Sequence, residues 1–391
     1  MIRVPEIPEY IKNTPRDVSI LFIGAPGIGK STVIREFAEE EAKELNREFV
    51  DFHELSENEL KKIFENPSKY YVYVDFRLTE VIPEDLIGIP RPIGDNYYVY
   101  VPPLWGKILS LREIYGLLFL DELTNVQRDD VISATYKIVL DRKVGFIKLS
   151  PNVRVIACGN DPSHSAIARP LPTPLAMRFE VVKVEPPSLE DWVKWMDKVY
   201  DDKWDKRVLA YLHYSRADFS PPISKTEALE NFACPRSWTR LAIQIKNITN
   251  EKILIAKIYS NLDPSTAGKF RVFIEKYDKI PSWEDVCRNP KAVFMRLDEE
   301  LRYLLTVFIA NKISEECENN VYRFKEFSHI IEALTIKAEY LIVFFLSLSK
   351  KLKEQLIKAI YFERKDLLPE AVRKILAEKV APIITSNYIV K

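Results

Sequence analysis

A glycine-rich segment near the start of the chain constrains the fold more than any other feature. It reads Gly24, Ala25, Pro26, Gly27, Ile28, Gly29, Lys30, Ser31 and Thr32. An apolar, β-prone stretch at residues 18–23 precedes it, and a helical pattern with one apolar face follows it. A strand, a glycine loop and a helix in this order direct backbone N–H groups and a helix N-terminus at a phosphate chain. We therefore predict a nucleotide-binding loop; the alternative is a plain glycine turn between a strand and a helix.

Two side chains of this loop have predicted roles. Lys30 would reach the β- and γ-phosphates of the nucleotide, and the Ser31 hydroxyl would hold Mg²⁺. The glycines allow backbone angles that side chains forbid, so the main chain can approach the nucleotide closely.

Length and composition restrict the class of protein. A chain of 391 residues is long enough for two or three domains. Its net charge of zero argues against a general polyanion binder. The four cysteines lie far apart without a CxxC pair, which argues against a zinc site or a disulfide framework and fits a reducing cytosol.

No feature of the sequence indicates a membrane or a secretory route. The first residues lack the apolar core of a signal peptide, and we expect a cytoplasmic protein. The longest apolar run, residues 340–346, is far shorter than the ~20 residues that cross a bilayer, so it predicts a buried helix. Glutamine is scarce while Lys, Glu, Ile and Tyr are abundant, which is typical of proteins from hot environments or of drift in base composition.

Alternating strands and helices are expected over residues 18–184, after an extended lead-in at residues 1–17. This alternation predicts an α/β fold with a mainly parallel sheet and helices on both faces. The predicted strands are residues 18–23, 71–76, 117–121, 153–158 and 179–184.

Glycines and prolines at residues 86–103 bound a short β-prone stretch, which predicts an inserted hairpin or loop. Its aromatic residues either form an exposed binding surface or pack on the domain, and packing is the default interpretation.

The rest of the chain has a helical pattern. Ser188 is a good N-cap for the first helix. Amphipathic helices are predicted around residues 297–313 and 330–345. Residues 350–391 contain ten Lys or Arg against five Asp or Glu. This excess fits either a basic patch for nucleic acid or solvated helix faces.

Two carboxylates follow a strand that is apolar throughout, residues 116–120, and such a strand is typically buried on both faces. Ligands of a parallel sheet bind outside the carboxyl ends of its strands, where the glycine loop also lies. We therefore predict that Asp121 binds Mg²⁺ beside Ser31 and that Glu122 polarises the attacking water as general base. The alternative is that the pair caps the next helix.

Three polar residues outside these motifs are further candidates. Asn160 ends another buried strand and could sense the γ-phosphate, although Asn-Asp-Pro is also good turn chemistry. Arg178, just before a strand, could stabilise a transferring phosphoryl group from a neighbouring subunit. Arg236 follows a helix-starting proline, where a cation is locally unfavourable; it is either functional or part of a surface salt bridge.

In this order the elements resemble those of the AAA+ ATPases, and within them the MoxR type. Residues 24–31 resemble Walker A and residues 117–122 Walker B. Asn160 resembles sensor 1, Arg178 the arginine finger and Arg236 sensor 2. The stretches at 85–90 and 143–149 resemble the motif after the second strand and the hairpin before sensor 1 of MoxR-type proteins.

The resemblance covers roughly residues 15–277 and implies a P-loop α/β core at residues 1–184 and a helical lid at 185–279. Residues 280–391 resemble no family, and their helical pattern predicts a helical C-terminal extension. The resemblance further implies a homo-oligomeric ring, with six subunits expected, that uses ATP and Mg²⁺ to remodel or mature a protein complex. Such ATPases often act beside partners with von Willebrand A domains. The alternative is a nucleic-acid-associated motor, either helicase-like or a replication initiator. A third possibility is a scaffold that binds ATP and barely turns it over.

Overall fold

The computed structural model describes residues 1–94, 96–161, 168–222, 231–318, 320–358 and 368–375. The described chain divides into two compact units. The first unit comprises Met1–Pro186, and the second comprises the described residues from Pro187 onward.

A parallel sheet is the framework of the first unit. The strands of the unit are β1 (Ile2–Arg3), β2 (Ile20–Gly24), β3 (Glu48–Asp51), β4 (Tyr70–Arg77), β5 (Ile89–Ile93), β6 (Tyr97–Val101), β7 (Tyr115–Asp121), β8 (Lys143–Val144), β9 (Ile147–Lys148), β10 (Val153–Asn160) and β11 (Glu180–Glu185). Seven of these described strands form the sheet in the order β1-β11-β2-β10-β7-β4-β3, and every neighbouring pair is parallel. All five predicted core strands are present within a few residues of their predicted bounds.

Helices cover both faces of this sheet. They are α1 (Ile7–Asn13), α2 (Lys30–Glu44), α3 (Glu57–Glu65), α4 (Pro83–Ile87), α5 (Leu104–Leu109), α6 (Asp129–Asp141) and α7 (Thr173–Ala176). Strand β7 shows the two apolar layers: Leu118 and Leu120 belong to one, Leu117 and Phe119 to the other. The strand is thus buried on both faces, as its unbroken apolar pattern predicts.

The lead-in at residues 1–17 is not extended, so that prediction was wrong. Strand β1 pairs with β11 at the sheet edge, and α1 follows a short 3-10 turn at Val4–Glu6. Pro8 occupies the second position of α1, where its missing N–H costs nothing. Ile7 and Ile11 are fully buried, and this burial stabilises a helix that the polar composition obscures.

The insertion at residues 86–103 contains the predicted hairpin, in which β5 and β6 form a separate two-stranded antiparallel sheet. The default interpretation of its aromatic residues as packed was wrong. Tyr97 is 76% exposed and Tyr98 is 67% exposed. A second, shorter hairpin joins β8 and β9 ahead of β10, again as predicted.

The second unit is helical in its described residues. Its helices are α8 (Leu189–Tyr200), α9 (Lys206–Tyr214), α10 (Pro235–Ile245), α11 (Glu251–Tyr259), α12 (Pro264–Glu275), α13 (Trp283–Arg288), α14 (Pro290–Arg296), α15 (Glu299–Cys317), α16 (Ser328–Ala333), α17 (Ala338–Ser347), α18 (Lys350–Lys358) and α19 (Glu370–Ile375). The Ser188 hydroxyl caps α8 by accepting from the Asp191 N–H at 3.0 Å. Helix α15 corresponds to the first predicted amphipathic helix, whereas the second is divided into α16, a 3-10 turn and α17.

One hydrophobic cluster of the second unit includes residues from Leu189 to Val372. Helix α17 is buried along most of its length, as the apolar run at 340–346 predicts. The division of these helices into a lid at 185–279 and an extension at 280–391 stays a prediction. None of the described helices is both long and apolar enough to cross a membrane. The architecture confirms the predicted α/β core with a parallel sheet, followed by a C-terminal region that is helical in its described residues.

Candidate nucleotide-binding site

The glycine loop connects β2 to α2 in the predicted order. Strand β2 ends at Gly24, and α2 begins at Lys30. Gly27 and Gly29 have φ values of 76° and 103°, in the left-handed region where a side chain would be strained. A Cβ on Gly24 would lie 2.5 Å from the Val184 carbonyl oxygen of the neighbouring strand. The loop therefore needs glycine at these positions, which explains the spacing of the motif.

Lys30 is buried inside the loop. Its side chain folds back so that Nζ donates to the carbonyl oxygens of Gly24 at 3.0 Å and Ala25 at 2.8 Å. Only 8% of the residue is exposed. An ammonium group with several donors, held at the start of a helix beside backbone N–H groups, is suited to bind phosphate.

Asp121 lies at the carboxyl end of β7 and meets the loop directly. The Ser31 hydroxyl donates to Asp121 Oδ2 at 2.7 Å, and the other carboxylate oxygen accepts from the Glu122 N–H at 2.8 Å. The two predicted metal ligands are thus brought together from positions 90 residues apart. Hydroxyl and carboxylate oxygens are the ligands that Mg²⁺ prefers, so this pair fits a magnesium ion.

Glu122 adopts an uncommon backbone conformation. Its φ of 59° and ψ of 28° are left-handed values, which are unfavourable for a residue with a long side chain. The Thr79 hydroxyl donates to Glu122 Oε2 at 3.0 Å. The backbone turn and this bond together fix a half-buried carboxylate directly after the metal ligand.

Sequence reasoning missed Thr79. It follows β4, whose last residue Arg77 is in register with Asp121 on the neighbouring strand. The Thr79 hydroxyl can be assigned to the site only when β4 is known to lie beside β7, because the sequence does not give the order of the strands.

Sequence reasoning also missed Asp75, on β4. Burial, reinforced by the negative charge of Asp121, raises the pKa of Asp75 to about 6. Its Oδ1 atom is buried and makes no hydrogen bond to the described residues. A second carboxylate thus adds negative charge beside the predicted metal ligand.

Asn160 ends β10, next to the glycine loop, and is in register with Gly24. Its N–H donates to Thr124 Oγ1 at 2.7 Å, and the Thr124 hydroxyl lies 3.0 Å from the Asn160 carbonyl oxygen. This contact fixes the backbone of the residue at the edge of the site. Its predicted role as γ-phosphate sensor stays a prediction.

Arg178 follows α7 and has no acidic partner among the described ion pairs. One guanidinium nitrogen donates to the Pro174 carbonyl oxygen at 2.7 Å, and the Tyr136 ring centre lies 5.0 Å from the guanidinium carbon. Its Nε is buried and makes no hydrogen bond to the described residues. Among the described residues, the guanidinium is thus held by a carbonyl oxygen and an aromatic ring and not by a carboxylate. Its predicted role as arginine finger stays a prediction.

Arg236 belongs to the second unit. It is exposed, in the first turn of α10, directly after Pro235. The described residues include no ion pair of Arg236, so a surface salt bridge does not explain this cation within them. Its predicted role stays a prediction.

No family model and no curated protein matches the sequence. Among solved structures, the chain is similar to C. elegans PCH-2, with 13% identity and a TM-score of 0.29 over 71% of this chain and 66% of that chain. It is also similar to a mutant of RuvB from Thermotoga maritima, with 14% identity and a TM-score of 0.32 over 96% and 93% of the two chains.

A further similar structure is NtrX from Brucella abortus in complex with ATP. It is 14% identical to this chain, with a TM-score of 0.32 over 93% of this chain and 67% of that chain. Identities and scores this low do not assign a function to this chain.

Proposed function

We propose that this chain binds ATP with Mg²⁺ and hydrolyses it, as an AAA+ ATPase. The observation that supports this most strongly is the 2.7 Å hydrogen bond from the Ser31 hydroxyl to Asp121. It joins the first turn of the phosphate-loop helix to the acidic end of a central strand. Together these elements supply phosphate donors, metal ligands and a carboxylate at one edge of the sheet.

Each residue then has a chemical task. Backbone N–H groups of the loop and Lys30 bind the phosphates, and Ser31 and Asp121 hold the metal. When bound, Mg²⁺ neutralises charge on the phosphate oxygens. Glu122 accepts a proton from the attacking water, and its bond to Thr79 keeps the carboxylate in one orientation.

The test is the substitution Glu122→Gln, which keeps the size of the side chain and removes its basicity. ATP affinity should change little because the phosphate-binding groups are intact. Turnover should fall at least about 100-fold, the usual contribution of a general base. Fluorescent-nucleotide titration measures the first quantity and steady-state phosphate release the second.

Glu65→Gln is the matched control, since Glu65 is an exposed carboxylate at the end of α3. It should leave both quantities unchanged. Turnover that survives in Glu122→Gln would show that Glu122 is not the base, and a chain that binds no ATP would refute the proposed function as a whole.

We propose further that the ATPase works as a homo-oligomeric ring, with six subunits expected. Support comes from the unneutralised charge of Arg178 and from the apolar surface around it. Met177 is 81% exposed, and Leu140, one helical turn after the Tyr136 that stacks on Arg178, is 54% exposed. Exposed apolar residues beside an unpaired cation are typical of a surface that another subunit covers.

Mixing two inactive variants tests this arrangement. Arg178→Ala subunits retain an intact phosphate loop, and Lys30→Ala subunits retain an intact arginine. If Arg178 completes a neighbour's site, mixtures should recover part of the activity, measured as phosphate release at several mixing ratios. No recovery at any ratio would contradict action between subunits.

The work done by the ring is proposed to be the remodelling or maturation of a protein complex. This rests on the resemblance of residues 85–90 and 143–149 to MoxR-type proteins. A partner with a von Willebrand A domain is the adaptor that this resemblance suggests. Affinity capture with the Glu122→Gln form held in ATP should retain the substrate, and recovery of no specific protein would argue against this role.

A nucleic-acid motor is the second candidate. The observation that favours it is the β8–β9 hairpin, where Lys143 and Lys148 flank Phe146, which is 62% exposed. Cations beside an exposed aromatic ring are typical of single-strand binding surfaces. Stimulation of turnover by DNA that weakens steeply with added salt would favour this candidate.

A further inference from the structure

Asp75 lies on the same face of the sheet as the two predicted metal ligands. Side chains alternate between the two faces along a strand. Tyr73, two residues before Asp75, belongs to the apolar layer that also contains the buried side chains of α2. Phe119, two residues before Asp121, belongs to the same layer. Both carboxylates are therefore on the α2 side of the sheet, from which Ser31 reaches Asp121.

The two carboxylates are also neighbours along the strands. Asp75 on β4 is in register with Phe119 on β7, and Arg77 is in register with Asp121. Asp75 and Asp121 are thus diagonal neighbours on adjacent strands, a separation over which side chains interact. The charge of Asp121 acts with burial to raise the pKa of Asp75, which shows that the two groups repel each other. The carboxyl ends of β4 and β7 therefore present two negative charges side by side.

The Asp75 carboxylate has few hydrogen-bond donors in the described part of the chain. The Tyr73 hydroxyl donates to its Oδ2 atom at the long distance of 3.4 Å, and its Oδ1 atom is buried without a hydrogen bond. The charges of His53 and Arg77 favour the ionised form, but neither residue forms an ion pair with Asp75 among the described contacts. His53 instead contacts the Asp75 carbonyl oxygen, and Arg77 pairs with Glu80. The carboxylate thus keeps acceptor capacity that the described side chains do not use.

A magnesium ion at this edge would bring suitable donors. Mg²⁺ demands octahedral coordination by oxygen and usually keeps several of its waters. Ser31 and Asp121 can supply protein ligands, and one oxygen of Asp121 already accepts from the Glu122 N–H. Waters and phosphate oxygens would complete the octahedron, and each water ligand has hydrogens to donate. Acceptors of such hydrogen bonds orient the ligands of a metal and strengthen its binding. Asp75 is half-buried, so part of its carboxylate is open to a water at this edge.

We propose that Asp75 is a positioning residue that accepts a hydrogen bond from a water ligand of the Mg²⁺ held by Ser31 and Asp121. This rests on the proposed function, because the water ligand exists only if the chain binds the nucleotide with its metal. The repulsion between the two carboxylates is offset when the cation is bound. Asp75 therefore contributes to the affinity for the magnesium complex of the nucleotide and not to the affinity for the nucleotide alone.

The test is the substitution Asp75→Asn, which keeps the size of the side chain and removes its charge. A fluorescent, non-hydrolysable ATP analogue is titrated with the full chain at pH 8, where Asp75 is ionised, once with MgCl₂ and once with excess EDTA. Magnesium should strengthen binding to the wild type, and this gain should be at least about tenfold smaller in the variant. In EDTA the variant should bind at least as tightly as the wild type, because one negative charge fewer repels the phosphates.

Glu48→Gln is the matched control. It removes one negative charge from the neighbouring strand β3, at an exposed position at the start of that strand, and should leave both affinities unchanged. Urea denaturation in EDTA without nucleotide tests whether Asp75 instead stabilises the fold. Asp75→Asn should be at least as stable as the wild type under these conditions, since it loses a poorly compensated charge.

An equal gain from magnesium in the wild type and in Asp75→Asn would overturn the proposal. A loss of affinity that is the same with and without magnesium, or a clear loss of stability in EDTA, would also overturn it, because either result indicates a structural role. The proposed function is judged on the wild type in the same titrations. A wild type that binds no nucleotide would refute both, whereas magnesium-dependent binding that Asp75→Asn leaves unchanged would refute only the role of Asp75.

Discussion

Each compact unit buries one carboxylate between two cations, but the cations differ. In the first unit, Glu41 accepts from Arg16 at 2.7 Å and from Arg154 at 3.2 Å. In the second, Asp197 accepts from Lys206 at 2.6 Å and from Lys353 at 2.5 Å. A buried lysine loses its proton far more readily than an arginine does. The cations of the first cluster therefore keep their charge at alkaline pH, whereas Lys206 of the second cluster can lose its proton.

The Glu41 cluster supports the nucleotide site. Glu41 lies on α2, the helix that begins with Lys30 and Ser31, and Arg154 lies on β10. The Tyr71 hydroxyl of β4 also donates to Glu41, at 2.8 Å. The cluster thus fixes the phosphate-loop helix to two strands of the sheet, where a change of protonation would disturb the site.

The Asp197 cluster connects helices far apart in sequence, α8, α9 and α18. Burial alone would raise the pKa of Asp197, but the charges of Lys206 and Lys353 together lower it. Burial lowers the pKa of Lys206 to about 7, and the nearby Lys353 charge acts in the same direction. Two lysines on one carboxylate leave an excess positive charge, which the loss of one proton relieves.

The largest effect is expected for Glu41→Gln. The substitution leaves two arginines without their counter-charge, one of them buried, and should lower the free energy of unfolding by about 3 kcal/mol. Because no arginine can release its proton, the loss should be the same at pH 7 and pH 9. Urea denaturation followed by circular dichroism measures it, and nucleotide titration should show weaker ATP binding.

The control for this prediction is Glu44→Gln. Glu44 lies on α2, as Glu41 does, and forms an exposed ion pair with Lys12 of α1. Exposed pairs contribute at most about 1 kcal/mol, so this variant should be nearly as stable as the wild type.

Asp197→Asn should destabilise the chain less at pH 9 than at pH 7. Equal losses at both pH values would remove the distinction between the two clusters.

The second prediction concerns pH. The pKa of Lys206 is lower in the folded chain than in the unfolded chain, where it has the ordinary value near 10.4. Between about pH 7 and pH 10 the unfolded state therefore binds more protons, and the free energy of unfolding rises with pH. The rise is at most about 1.4 kcal/mol per pH unit from this group.

Lys206→Met is the variant that checks this origin. Tryptophan fluorescence during denaturation is a suitable signal, because five of the six tryptophans lie in the second unit. Between pH 7 and pH 9, the free energy of unfolding should rise less steeply with pH in the variant than in the wild type. Identical slopes would assign the pH dependence to other groups.

Neither cluster could be predicted from the sequence, although much of the nucleotide site could. The glycine loop and the Asp121–Glu122 pair are local patterns next to strongly apolar strands, so adjacent residues define them. Glu41 and Arg154 are 113 positions apart. Their contact depends on β10 lying between β2 and β7, an order that the strand patterns alone do not reveal.

The hairpin at 86–103 shows a second reason why sequence-based prediction failed, which concerns the exposure of side chains. Its residues Tyr97–Val101 are apolar throughout, so the strand has no alternation that would separate a buried face from an exposed one. The lead-in at residues 1–17 failed for the opposite reason, since a polar composition hid two buried isoleucines. Exposure is a property of the three-dimensional contacts, and these two segments are where composition was a poor guide to it.

The smallest effect is expected where a carboxylate has a neutral partner. Glu122 is bonded to the hydroxyl of Thr79 rather than to a cation. Thr79→Val keeps the shape of the side chain and removes one hydrogen bond, which is worth about 1 kcal/mol, or roughly fivefold in rate. We expect kcat to fall by that factor while KM stays close to the wild-type value, since the carboxylate orients water and not nucleotide.

Thr173→Val is the matched control, since Thr173 is an exposed threonine on α7, and it should change neither constant. A larger fall in stability than in kcat would mean that Thr79 stabilises the fold and does not position the base.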